Sequence, residues 1–177
     1  TNPSDYVKGF PWHPHRGIET ITYMIEGTVE HKDSLGNSGV IRSGDVQWMT
    51  AGSGIIHQEM PARYDGTMRG FQLWVNLPSD RKMMKPRYQD VLSAQIPASP
   101  GNGYSVRVIC GSWNGVRGPV EDIVLDPCYF DIGLEPDARV IVPALDSQNT
   151  FAYVFEGTAI FESDARRHVD TGNLILF

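Results

Sequence analysis

Strand-sized runs of β-branched and aromatic residues, cut by glycine and proline, follow one another along almost the whole chain. They read IETITYMIEG, VIRSGDVQWM, GIIHQEMP, GFQLWVNLP, YSVRVICG, DIVLDPCYFDIGLEP, ARVIVPA, TFAYVFEGTAIFES and NLILF. Such residues suit a pleated, half-buried surface, and the turn residues between them mark where each run ends. No stretch sustains the 3.6-residue periodicity of an amphipathic helix. The chain is therefore expected to be all-β, a sandwich or a barrel.

An internal repeat narrows this. Residues 21–28, ITYMIEGT, match residues 151–158, FAYVFEGT, at an offset of 130, and Ser43-Gly44-Asp45-Val46 resembles Thr171-Gly172-Asn173-Leu174 at an offset of 128. A strand, a turn, a second strand and a glycine corner have been used twice, which points to duplication of one β-barrel unit. Between the halves, PSDRKMMKPRYQDVLSAQIPASPGNG is rich in Pro, Ser, Gly and charge. It reads as a connector, and its Arg81, Lys82, Lys85 and Arg87 as a solvated basic cluster.

Charge restricts the partners. With 177 residues and a formal net charge of −6, the chain lacks the basic footprint of direct nucleic-acid binding or of docking on an anionic membrane. No apolar run approaches the ~20 residues that span a bilayer. Two cysteines, Cys110 and Cys128, are too few for a disulfide framework, and an intracellular setting, cytoplasmic or nuclear, is expected. Both ends read as clipped: the chain opens mid-fold at Thr1 and stops in the apolar run NLILF.

The chemistry lies in two short pairs, His13-Pro14-His15 and His57-Gln58-Glu59. Residues two apart on a strand share a face and lie about 6–7 Å apart. If the two strands are neighbours, four side chains converge. Three neutral imidazoles and one carboxylate suit a borderline divalent ion, Fe, Mn, Co, Ni, Cu or Zn, while Ca²⁺ or Mg²⁺ would want more oxygen. A lone HxH is more often an ordinary surface or core pair; two such pairs, holding three of the chain's five histidines, are not. Glu19 competes with Glu59 as the acid, lying four residues beyond His15 with the same strand parity. His31 and His168 sit in polar contexts and read as solvated. At the repeat offset, His13, His15 and Glu19 correspond to Pro143, Leu145 and Asn149, so one metal per chain is expected, in the first half.

The stretches FPWHPHRGIETITYMIEG (10–27), SGDVQWMTAGSGIIHQEMP (43–61), GFQLWVNLP (70–78) and KMMKPRYQDV (82–91) resemble the pirin family of bicupins, with a weaker echo through NGVRGPVEDIVLDP (114–127). The resemblance implies two stacked antiparallel barrels of jelly-roll type. Residues 1–80 would form a metal-binding cupin barrel cut at its start, 81–103 the linker, and 104–177 a second barrel without ligands, cut at its end. It also implies one iron, most simply Fe(II), held by His13, His15, His57 and Glu59, and it favours Glu59 over Glu19. Two roles follow from it. One is quercetin 2,3-dioxygenase chemistry on a flavonol-like substrate with O₂, in which Glu59 is both ligand and general base. Phe10, Trp12, Met24, Trp48, Met49 and Met60 are candidates to line the flat pocket such a substrate needs. The other is a non-enzymatic iron-containing regulator that binds a transcription factor.

Overall fold

The structure, a computed structural model, describes residues 3–62, 66–125, 127–145, 147–161 and 167–177. The chain divides into two compact units, Thr1–Arg139 and Val140–Phe177. It is all-β, built of antiparallel strands, as the alternating runs predict. Among the described residues no helix is long and apolar enough to cross a membrane.

In the first unit the strands are β1 (Phe10–His15), β2 (Ile18–Glu26), β3 (Thr28–Asp33), β4 (Ser38–Arg42), β5 (Val46–Thr50), β6 (Ile55–Pro61), β7 (Arg69–Asn76) and β8 (Arg87–Val91). They form two four-stranded sheets, ordered β1-β6-β3-β4 and β7-β2-β5-β8. The sheets face one another as a barrel, because side chains meet across the gap. The Thr22 hydroxyl of β2 donates to Glu59 Oε1 of β6 at 2.9 Å, and Tyr88 of β8 stacks on His31 of β3.

Period-two alternation then decides what each residue sees. Thr20, Thr22 and Met24 point between the sheets. Ile21 and Tyr23 point the other way and join Val46, Trp48 and Val91 in the largest apolar core. That outer face is covered by β9 (Ala98–Gly101), β10 (Tyr104–Cys110) and β13 (Tyr129–Leu134), with a small hairpin of β11 (Ser112–Trp113) and β12 (Val116–Arg117) between them. Ile109 and Cys110 of β10 complete the core, and Tyr23 Oη donates to Asp131 Oδ2 of β13 at 2.6 Å. The expected connector 81–103 carries β8 and β9, each paired within a sheet. From it Lys82 Nζ donates to Gly17 O and Asn76 Oδ1, so this lysine ties down the β1–β2 turn.

Gly52, in the turn between β5 and β6, holds φ at +50°, and its carbonyl accepts from Gly17 N at 2.8 Å. A Cβ there would fall against the backbone carbonyl of Met84. Gly52→Ala is therefore expected to lower unfolding free energy by about 2 kcal/mol or more, since left-handed strain and a backbone clash act together. Chemical denaturation checks this; an unchanged midpoint would contradict the strain.

The second unit holds two hairpin-like pairs. β14 (Phe151–Val154) pairs with β17 (Asn173–Leu176), and β15 (Thr158–Phe161) pairs with β16 (Arg167–Asp170). The sequence repeat has a structural counterpart here. Gly44 N donates to Met24 O at 2.7 Å, and Gly172 N donates to Val154 O at 2.8 Å. Gly27 and Gly157 both take positive φ at the equivalent turn, +105° and +73°.

Candidate metal centre

β1 and β6 are neighbours, so the condition set by the two i, i+2 pairs is met. His13 lies opposite His57 in register, with a bulge between Phe10 and His13 that carries the chain on to Phe10 opposite Glu59. The three imidazoles converge. Their ring centroids are 4.4 Å (His13–His57), 4.8 Å (His13–His15) and 4.9 Å (His15–His57) apart. One ring nitrogen from each lies within 4.8 Å of the others, and among the described residues these three are the group of His, Cys, Asp or Glu able to hold a metal ion.

Three observations fit a metal. His13 Nδ1 donates to Pro11 O at 2.7 Å, which assigns the proton to Nδ1 and leaves Nε2 a free lone pair. That Nε2 is 3.1 Å from His15 Nε2. Two nitrogens each about 2.1 Å from one ion would lie roughly 3.0–3.4 Å apart. Finally, both nitrogens of the fully buried His57 lack any hydrogen-bond partner, and a ligated ion would satisfy one of them.

The electrostatics agree. Burial, reinforced by the His13 and His15 charges, pushes His57 down to about 3. Burial, then His13, lowers His15, with Glu59 opposing. Neutral imidazoles are the form that ligates.

Glu59 shares the inner face of β6 with His57 and is almost fully buried. Its Oε1 accepts from Thr22 Oγ1 at 2.9 Å and its Oε2 from Gln72 Nε2 at 2.7 Å. Gln72 in turn accepts from Trp74 Nε1 at 3.0 Å, and Trp74 meets His15 edge to face at 5.1 Å between centroids. Sequence reasoning missed Gln72 and Trp74. The signal was present in GFQLWVNLP, where Gln72 and Trp74 alternate with the apolar Phe71, Leu73 and Val75. The latter three pack on the outer core.

Glu19 is placed elsewhere. It lies opposite Thr50 and accepts from Thr50 Oγ1 at 2.7 Å, on the face of β2 that turns away from the barrel interior. The parity argument fails because Gly17, at φ +70°, breaks the strand between His15 and Ile18. His31 is likewise not solvated; it is fully buried. On β3 the odd positions Val29, His31 and Asp33 point inward and the polar Glu30 and Lys32 outward. Hence a polar-looking run hides an interior imidazole. Burial first lowers the His31 pKa, against the raising effect of Asp33 and Glu59. His168 is exposed, as expected.

His13 and His15 open on a cavity of about 670 Å³ lined also by Phe10, Arg16, Gln72 and Trp74. Of the six expected pocket residues, Phe10 lines it. Met24, Trp48 and Met49 are core instead, Trp48 because it points to the outer face of β5.

Comparison with known proteins gives the same direction. The family model described as Pirin matches residues 1–75. The Pseudomonas aeruginosa protein named "Putative quercetin 2,3-dioxygenase PA3240" is 43% identical over 178 residues, covering 98% of this chain and 62% of that protein. The Thermoplasma acidophilum protein named "Putative quercetin 2,3-dioxygenase Ta0133" is 42% identical over 89% of this chain and 67% of its own length. Among solved structures, GK1651 from Geobacillus kaustophilus superposes with a TM-score of 0.85 at 43% identity, over 95% of this chain and 66% of that one. The chain thus spans about two thirds, or less, of the length of these relatives.

Proposed function

The chain belongs to the pirin family, and on that footing we propose that it is a metal-dependent oxidoreductase that opens the ring of a flavonol-like substrate with O₂, in the manner of quercetin 2,3-dioxygenase. The observation that carries this is the convergence of three imidazoles, two of them lining a cavity that also presents the rings of Phe10 and Trp74. His13, His15 and His57 would hold the ion, Fe(II) first among candidates, with Glu59 as the fourth ligand. When bound, such an ion supplies Lewis acidity and a template for substrate and O₂. The names of the relatives support the reaction class.

The chain's own residues supply the rest. Phe10 and Trp74, both well exposed on the cavity, offer ring faces to a flat aromatic substrate. Arg16 adds a cation at the same mouth, suited to a phenolate. Glu59 is the base for the substrate hydroxyl, and its two oxygens are not equivalent. Gln72 can only donate to Oε2, so a proton there would break that bond. Thr22 faces Oε1 with a hydroxyl that can turn from donor to acceptor. The proton is therefore held at Oε1, and Gln72 keeps the carboxyl in place while it moves.

The test uses protein loaded anaerobically with Fe(II), then mixed with quercetin and O₂. Loss of flavonol absorbance with release of carbon monoxide is expected; neither, at full metal occupancy, would overturn the dioxygenase assignment. Glu59→Gln is expected to lower kcat by roughly 10²–10⁴-fold, the usual weight of a general base. Full turnover by that variant would remove Glu59 from the base role. No distance or burial among the described residues favours the regulatory alternative.

A further inference from the structure

His31 and His57 form an unusual pair inside the barrel. Both are fully buried, and neither ring nitrogen of either has a hydrogen-bond partner. Their ring centroids are 5.4 Å apart, with the planes tilted by 58°. A buried imidazole without a partner is an anomaly, since nearly all buried polar groups are satisfied. Two in contact call for one explanation.

That explanation follows from what ligation demands of His57. A nitrogen that binds a metal presents its lone pair, so the other nitrogen must carry the proton. The resulting N–H is buried and needs an acceptor. Metal-ligating histidines nearly always find one, and it fixes the tautomer and the ring orientation.

The neighbouring acceptors are few. Asp33 lies opposite His57 in register, and its oxygens accept from Leu35 N, Asn37 N and Asn37 Nδ2, which commits the carboxylate to the turn after β3. Glu59 is held by Thr22 and Gln72 and is the proposed fourth ligand. His31 is the neighbour of these three that makes no hydrogen bond with either ring nitrogen, and its ring is held firmly. It stacks on Tyr88 at 4.9 Å between centroids with planes only 12° apart. Tyr88 is fixed at its hydroxyl, which accepts from Gln47 Nε2 at 2.9 Å and donates to Asp90 Oδ1 at 2.6 Å. Stacking occupies a ring face and leaves the edges, where the nitrogens lie. Gly39 permits this arrangement: a Cβ there would come within 3.0 Å of both the Tyr88 hydroxyl and Asp90 Oδ2.

We propose that His31 is a positioning residue for the metal centre, accepting, directly or through one water, the N–H that His57 must carry once its other nitrogen is ligated. The proposal rests on the triad being a metal site. Asp90, Tyr88 and His31 then form a rigid buttress that sets the angle at which His57 meets the ion. A plain core histidine predicts something different, namely that its removal would harm folding and leave metal binding alone.

Zinc and cobalt(II) are the probes, with three variants. Wild type is expected to bind one equivalent of zinc. His31→Leu, similar in bulk and unable to accept, is expected to bind zinc about 10–100-fold more weakly, the usual weight of such an outer partner. The metal-free form of that variant should melt no lower than wild type, because an unsatisfied buried group has gone. His31→Gln, which can still accept, should recover zinc affinity to within about threefold of wild type, and the cobalt(II) ligand-field bands shifted in His31→Leu should return. Zinc affinity and cobalt bands unchanged in His31→Leu would overturn the proposal. So would loss of affinity in Asp33→Asn without loss in His31→Leu, which would assign the acceptor to Asp33. Wild type that takes up no zinc would remove the metal centre itself, a distinct result.

A reading independent of any variant's folding comes from ¹⁵N spectra of wild-type imidazoles. On zinc loading, one His31 nitrogen should move to the shift of a hydrogen-bond acceptor while one His57 N–H becomes protected from exchange. Unchanged His31 shifts would overturn the proposal.

Discussion

Alanine at position 57 is expected to weaken zinc or iron(II) binding by more than ~100-fold, beyond the effect of losing an outer partner, while costing the metal-free protein little. His57 completes a triangle with the other two imidazoles, with centroids 4.4 Å and 4.9 Å away, so its loss leaves an HxH pair on a single strand. The same residue is a burden without metal. It is fully buried, unpartnered and held neutral down to about 3, so its ring contributes packing at the cost of two unsatisfied nitrogens. Melting with and without metal separates the two effects. Metal at one hundred times its dissociation constant should stabilise wild type by about 2.7 kcal/mol and His57→Ala by almost nothing. An equal metal-induced shift in both proteins would show that the triad is not the binding site.

The second large effect separates two tryptophans that the sequence alone does not distinguish. Trp48 is 1% exposed and packs with Ile21, Val91 and Ile109 on the outer face of its sheet. Trp48→Ala is expected to lower unfolding free energy by about 3–5 kcal/mol, as for other buried aromatic truncations, with zinc affinity of the folded fraction unchanged. Trp74 is 60% exposed and lines the cavity. Trp74→Ala should change stability by no more than about 0.5 kcal/mol and instead raise the KM for a flat aromatic substrate. Denaturant titration and steady-state kinetics on the pair decide it. The reverse pattern would place the cavity on the wrong face of β5.

What the sequence disclosed follows from how local each signal is. Strand-sized runs and turn residues are local, and the all-β class followed from them. The candidate pairs His13-Pro14-His15 and His57-Gln58-Glu59 are also local, because a strand fixes the direction of i and i+2 without reference to the rest of the fold. Parity carried across a turn is not local, and Glu19 shows this: one glycine at positive φ placed it on the opposite face from His15's target. His31 failed for a related reason. The alternation in TVEHKD is that of a strand with one buried face, but polar residues occupy both faces, so hydrophobicity could not say which side was inside. Trp48 and Trp74 each look like core or pocket residues in isolation. Only the pairing of β2 with both β5 and β7 assigns them to opposite sides of one sheet.

The Gln72 amide has one consequence for how such a protein can change. Its oxygen takes the Trp74 indole N–H and its nitrogen holds Glu59, so the wall that would meet a substrate and the carboxylate that would take its proton share a single rigid group. Substitutions at Trp74 and Glu59 should then be non-additive in a double-mutant cycle, as expected of residues in one hydrogen-bonded network. A lineage drifting toward a bulkier or smaller substrate would find selectivity and rate bound together, and position 72 is where the two could be uncoupled.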